Sequence, residues 1–150
     1  MTGQGFRRAV EADAAAVGAI TRAAYAGWVP LIGREPMPMR ADPLVAIRAH
    51  RVDLLERDGR VLAVLETKVA EDHLWVENLC VAPDCQRRGL GGQLLDRAEA
   101  LAREAGLPRL RLLTNPAFTG NVAFYRRHGF AIEREEPFLG GMTTWLCKVL

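Results

Sequence analysis

VAPDCQRRGLGGQLLDRAEALARE, Val81 to Glu104, is the stretch on which the reading of this chain turns. Three glycines (Gly89, Gly91, Gly92) and two arginines (Arg87, Arg88) fall within Gln86–Gly92, directly ahead of a helix pattern with Leu94, Ala98, Leu101 and Ala102 on one face. The helix has its stop at Gly106, with Pro108 beyond. A strand that enters a helix through a glycine turn leaves unpaired backbone N–H groups at the positive end of the helix dipole, which is an anion site. Glycine lets the chain pass close to the anion and take positive φ without strain. Charge-assisted hydrogen bonds contribute roughly 1.5–3 kcal/mol each, so several together would anchor a pyrophosphate. A nucleotide P-loop would need Gly-Lys-Ser/Thr, but Gln93-Leu94 follows Gly91-Gly92. A dinucleotide fingerprint would need glycine where Leu94 stands and a parallel βαβ beginning.

Outward from this stretch, the order of elements is that of an α/β domain. Arg7–Val10 reads as a first strand and Asp13 as the cap of a helix striped by Val17, Ile20 and Ala24. Prolines and glycines in GWVPLIGREPMPM predict a long irregular segment over 26–40, before Asp42-Pro43 opens a short helix, Leu44–His50. VDLLER and RVLAVLETKVA flank Asp58-Gly59, a hairpin pair, and LWVENLCV follows a second turn at Glu71–His73. After the Leu90 helix come the strand RLRLLT, a helix over about Asn121–His128, and two closing strands, FAIER and TTWLCKVL. The fold expected is a mostly antiparallel mixed sheet of about six to seven strands flanked by about four helices, in the order β-α-α-β-β-β-α-β-α-β-β. No internal repeat or low-complexity tract interrupts it.

With 150 residues, 49% hydrophobic and 25% charged, the chain suits one domain, 1–150, with its own core. A net charge of only +2 argues against nucleic acid as partner. Three cysteines without CxxC spacing and three scattered histidines make neither a disulfide framework nor a metal site, and fit a reducing cytoplasm. No apolar run reads as a leader or a bilayer span, so no membrane association is expected.

Gln86-Arg87-Arg88-Gly89-Leu90-Gly91-Gly92 resembles the Gln/Arg-x-x-Gly-x-Gly/Ala signature of the GNAT superfamily of N-acetyltransferases, whose loop binds the pyrophosphate of acetyl-CoA. LWVENLCVAP is similar to the family's central strand, and NVAFYRRHGF to its tyrosine-bearing helix ending in Gly-Phe. The resemblance implies transfer of an acetyl group from acetyl-CoA to a primary amine. It implies backbone pairing of the pantetheine arm near Leu79, Cys80 and Val81, where a backbone N–H would also stabilise an oxyanion. Tyr125 matches the tyrosine placed near the thioester sulfur, with Phe124 beside it. A phenol, pKa about 10, protonates a thiolate, about 8.5, only uphill, which favours a hydrogen bond over complete transfer.

Glu77 is the only acid of the central strand and the candidate base; a strand carboxylate paired with a neighbouring cation is the alternative. Asn121 lies one helical turn before Tyr125, either reaching cofactor or capping the helix, while Phe118 stands where many relatives have asparagine. Asn115 is a further candidate for pantetheine contact. Arg87 stands where relatives often have glycine, and faces solvent more readily than Arg88. For the acceptor, Trp28, Leu31, Ile32, Met37 and Met39 offer an apolar wall with only Glu35 acidic, unless the methionines merely pack the loop on the core. Glu133, Glu135 and Glu136 stand at the near end of the loop expected between the last strands and make the second wall partly acidic. A small amine with an apolar body fits both walls, and a homodimer is left open. A non-catalytic acyl-CoA sensor is the rival reading; retention of Tyr125 and Glu77 favours the enzyme.

Overall fold

The computed structural model describes residues 3–150. Seven strands, β1 (Gln4–Arg8), β2 (Arg51–Arg57), β3 (Arg60–Val69), β4 (Leu74–Val81), β5 (Arg109–Thr114), β6 (Ala131–Phe138) and β7 (Gly141–Val149), make one sheet in the order β1-β2-β3-β4-β5-β7-β6. Only β4 and β5 run parallel. The helices are α1 (Ala14–Tyr25), α2 (Val29–Ile32), α3 (Met37–Arg40), α4 (Pro43–Ala49), α5 (Leu90–Glu104) and α6 (Thr119–Arg127). This is the mixed fold expected, with the four-residue α2 and α3 added.

Local chemistry accounts for the connections. Asp58 and Gly59 take φ of 51° and 79°, as the two central residues of a type I′ hairpin must, and join β2 to β3. Asp42 accepts the Leu44 N–H at 2.9 Å and caps α4, with Pro43 in its first turn. Gly106, at φ 72°, ends α5, and the Leu107 N–H closes back on the Ala102 carbonyl at 2.9 Å. The apolar stripe of α5 then packs Leu94, Leu95, Ala98 and Ala102 against Leu65, Leu74, Leu110 and Leu146 on one face of the sheet. Val17 and Tyr25 of α1, Met39 of α3 and Ala46 of α4 cover Val52, Leu54, Val64 and Cys80 on the other.

Several expectations are corrected. β1 begins at Gln4 and ends at Arg8, so Val10 lies outside it. Asp13 does not cap α1 by its side chain. Its carboxylate instead accepts both terminal nitrogens of Arg7 at 2.8 Å and the Val10 N–H at 2.8 Å, and Arg7 holds it below the usual carboxylate range. Residues 26–40 are irregular only over 33–36, where Gly33 is left-handed (φ 71°); on either side a 3-10 turn with α2, and α3, form, with prolines in first turns where a missing N–H costs nothing. The helical run Glu11–Ile32 is, by length and mean hydropathy, long and apolar enough to cross a membrane, although no such run was expected. Within it, Val17, Thr21 and Tyr25 are buried. α6 begins at Thr119, and the closing strands extend to a turn at Leu139-Gly140, which draws Glu133, Glu135 and Glu136 into β6.

Among the described residues one charged side chain lies wholly inside. Asp53 of β2 is 0% exposed, with Arg51 at 3.2 Å and Arg97 of α5 at 3.7 Å. Arg97 also lies over the Phe6 ring at 5.6 Å. Removing the carboxylate leaves partly buried guanidinium groups without their counter-charge. Asp53→Ala is expected to cost about 2–3 kcal/mol in chemical denaturation; a loss below 0.5 kcal/mol, roughly that of an ordinary surface substitution, would show that the Asp53 carboxylate does not help to hold α5 on the sheet.

Candidate active site

The site begins where two strands part. β4 pairs with β3 over its full length but with β5 only at Leu74–Leu110 and Trp75–Arg111. Glu77 is the extra residue of a β-bulge: Glu66 pairs with Asn78 and Thr67 with Val76, leaving Glu77 without an opposite number. The bulge turns the strand over. Leu74 and Val76 pack under α5, whereas Asn78 and Cys80 point toward α1, with the Asn78 amide donating to Thr21 Oγ1 at 3.1 Å and the Cys80 thiol 3.7 Å from it.

Beyond the bulge, main-chain groups alternate between β3 and the opened gap. Ala82 N–H donates to Leu62 of β3 at 2.8 Å, which puts the even residues on the β3 side. Leu79 and Val81 face the gap; their carbonyls accept Tyr25 Oη at 3.2 Å and Gln86 Nε2 at 3.1 Å. Of the three residues expected to pair with an extended arm, Cys80 is thus turned away. Its main chain belongs to β3, and burial pushes its thiol up to about 12.

At the end of β4 the chain enters α5 through Arg87 (φ 65°) and Gly89 (φ 77°). Both are left-handed, a conformation that glycine takes without strain and arginine does not. Arg87 and Arg88 are exposed, while Gln86 folds back on Val81. Leu90, Gly91 and Gly92, as the first residues of α5, turn N–H groups outward. A Cβ at Gly91 would come within 3.0 Å of the Phe124 ring, and one at Gly92 within 3.1 Å of His128. These two glycines therefore admit α6 against the start of α5, a second role beside exposing the backbone. Phe124 is a packing partner of the loop.

α6 brings Tyr125 to the gap. Its phenol is buried, which raises its pKa, and the Asn121 side chain opposes that rise. Asn121 is the third residue of α6, not its cap, and donates to Thr114 Oγ1 at 3.0 Å. Asn115 accepts the Ala117 N–H at 2.9 Å and steadies the turn into α6. A cleft of about 260 Å³ joins Tyr125, Asn121, Asn115, Leu79 and Glu77 to the apolar side chains Trp28, Ile32 and Met37. Glu77 is exposed to it and, among the described residues, forms no ion pair.

Other expected wall residues lie elsewhere. Leu31 is 64% exposed and outside the cleft, and Met39 is core. Glu133 is bound by Arg111 at 2.9 Å, Glu135 accepts from Thr144 at 3.1 Å, and Glu136 from Trp145 at 2.9 Å, so the acidic wall is absent. In its place stand Phe138, Met142 and Thr143 from the β6–β7 hairpin, and Arg34. Leu139-Gly140 carried the signal for that hairpin. Tyr25, also missed, donates to Asn78 Oδ1 at 3.1 Å as well as to Leu79.

The family model described as acetyltransferase (GNAT) family matches residues 17–130. The amino-acid acetyltransferase of Azotobacter vinelandii is 31% identical over 103 residues, which is 67% of this chain and 23% of that protein. The chain thus spans about a quarter of the length of that curated relative. The crystal structure of PaiA N-acetyltransferase from Thermoplasma acidophilum in complex with coenzyme A has TM-score 0.81 at 16% identity, covering 99% of each chain. YncA of Salmonella typhimurium, solved with its cofactor acetyl-CoA, has TM-score 0.77 at 18% identity, covering 99% of this chain and 94% of its own. At such identities the likeness speaks for the fold.

The contact between Gly91 and Phe124 makes a thermodynamic cycle informative. Alanine in a helix is favoured over glycine by about 1 kcal/mol, but at Gly91 its methyl meets the ring. Gly91→Ala is expected to be neutral or destabilising beside Phe124 and stabilising by about 1 kcal/mol after Phe124→Leu. Equal effects in the two backgrounds, measured by thermal denaturation, would remove the packing role.

Proposed function

Because the chain belongs to the GNAT acetyltransferase family, we propose that it transfers the acetyl group of acetyl-CoA to the primary amine of a small acceptor by direct attack. The observation that carries this reading is the convergence of Leu79 in the opened β4–β5 gap, Tyr125 and Glu77 on one cleft, with the α5 entrance following from the end of the same β4 strand. Bound there, acetyl-CoA supplies a thioester carbonyl as electrophile. The N–H groups of Leu90, Gly91 and Gly92, with Arg88, suit its pyrophosphate. The N–H groups of Leu79 and Val81 suit its pantetheine arm, and one of them suits a developing oxyanion. The fit is supported by left-handed Gly89 and by the absence of any β5 partner beyond Trp75.

Glu77 takes the proton an attacking ammonium must lose, directly or through water. Tyr125, kept protonated by burial, donates a hydrogen bond to the leaving sulfur. Its raised pKa makes complete proton transfer still more uphill than for a free phenol, so its part is to stabilise charge. Trp28, Ile32, Met37, Phe138 and Met142 suit an acceptor with an apolar body. The name of the curated relative, an amino-acid acetyltransferase, agrees with a small amine.

Thiol release from acetyl-CoA, followed with a library of small amines, tests the reading; no acceptor-dependent release, despite calorimetric binding of acetyl-CoA, would leave the sensor instead. Tyr125→Phe is expected to lower kcat by about 10- to 100-fold, the worth of one hydrogen bond to developing charge, while acetyl-CoA affinity stays within a few-fold. Glu77→Gln is expected to move the rising limb of the kcat/KM profile to higher pH, where the amine is already neutral. An unmoved limb would place the base elsewhere.

A further inference from the structure

Only two charged side chains border the cleft among the described residues, Glu77 and Arg34, and neither has an ionic partner there. Arg34 follows left-handed Gly33 between α2 and α3 and lies with its guanidinium 5.6 Å from the centre of the Phe138 ring. Its one hydrogen bond is to the neighbouring Glu35 carbonyl at 3.3 Å. The Glu35 carboxylate is committed to Arg22 at 3.4 Å. By contrast, Arg7, Arg48, Arg60 and Arg111 each hold a carboxylate at 3.2 Å or less. A half-buried arginine that borders an apolar cleft with its guanidinium over an aromatic ring has a donor fork suited to a planar anion.

We infer that Arg34 anchors a carboxylate of the acceptor, so that the acceptor is an amino-carboxylate with an apolar body and not a plain amine. This rests on the transferase reading above. The amine of such a molecule goes to Glu77 and the opened gap, the carboxylate to Arg34, and the body to Trp28, Ile32, Met37 and Met142. A plain amine satisfies Glu77 but leaves the guanidinium with a single main-chain acceptor. A polyamine brings its second cation toward Arg34, which disfavours it. The expected acidic wall, which would have drawn polycations, is the feature the structure lacks.

The experiment compares leucine, methionine and phenylalanine with their decarboxylated counterparts, isopentylamine, 3-(methylthio)propylamine and phenethylamine, as acceptors with acetyl-CoA. Wild type is expected to favour the amino acids in kcat/KM by about 10-fold or more, as a charge-assisted pair implies. Arg34→Ala should bring that ratio near one, and Arg34→Lys, which keeps the charge without the fork, should retain part of it. Calorimetric titration of the same amino acids into CoA-saturated protein adds a readout that needs no turnover. Wild-type preference for the amines, equal use of both, or a ratio that survives Arg34→Ala overturns the anchor while leaving the transferase standing. Amino-acid binding that Arg34→Ala abolishes, with no transfer to any acceptor, sustains the anchor and removes the transferase. Neither binding nor transfer overturns both.

Discussion

β4 is held along one edge and released along the other. Its hydrogen bonds to β3 run from Leu74 to Val81, while those to β5 stop after two residue pairs. β5 is not loose: six residue pairs tie it to β7. Each strand of the opening is therefore braced by its outer neighbour, and the gap is a rigid consequence of pairing. Unpaired backbone groups inside a fold are costly, so a gap of this kind requires something to satisfy them. Tyr25 and Gln86 satisfy the carbonyls of Leu79 and Val81, and their N–H groups are what the gap offers a ligand.

The bulge at Glu77 makes the rest possible. One extra residue moves Asn78 and Cys80 to the α1 face and brings Leu79 and Val81 onto the α5 side of the core. It also leaves a carboxylate exposed in the cleft on a strand with no other charged residue. α6 closes the far side because Gly91 and Gly92 have no side chains to keep Phe124 and His128 away. Burial favours the neutral phenol of Tyr125, the state that the proposed donor to a leaving sulfur requires.

Much of this was legible in the residues. LWVENLCV runs as a strand from Leu74 to Val81 as read, Asp58-Gly59 turns where an Asp-Gly pair should, and the stripe of α5 is buried as its spacing requires. The bulge was not legible. Positions 74, 76, 78 and 80 are all buried, so the strand keeps a simple alternation although its two halves face opposite sides of the sheet. The acidic wall failed because EREEPF, rich in glutamate and containing proline, has weak strand propensity by itself. Pairing with β7 overrides it, and partners on Arg111, Thr144 and Trp145 occupy the glutamates. Arg34 escaped notice because nothing in GWVPLIGREPMPM distinguishes a cation facing a cleft from one facing solvent.

Residue-resolved amide hydrogen exchange, with and without acetyl-CoA, tests the opened strand most directly. Protection should appear at the Leu79 and Val81 amides and at the α5 entrance, Leu90 to Gly92, while Asn78 and Cys80, already bonded to β3, change little. Equal protection along the whole of β4, or none at Leu79 and Val81 in a protein that demonstrably binds acetyl-CoA, would contradict the account.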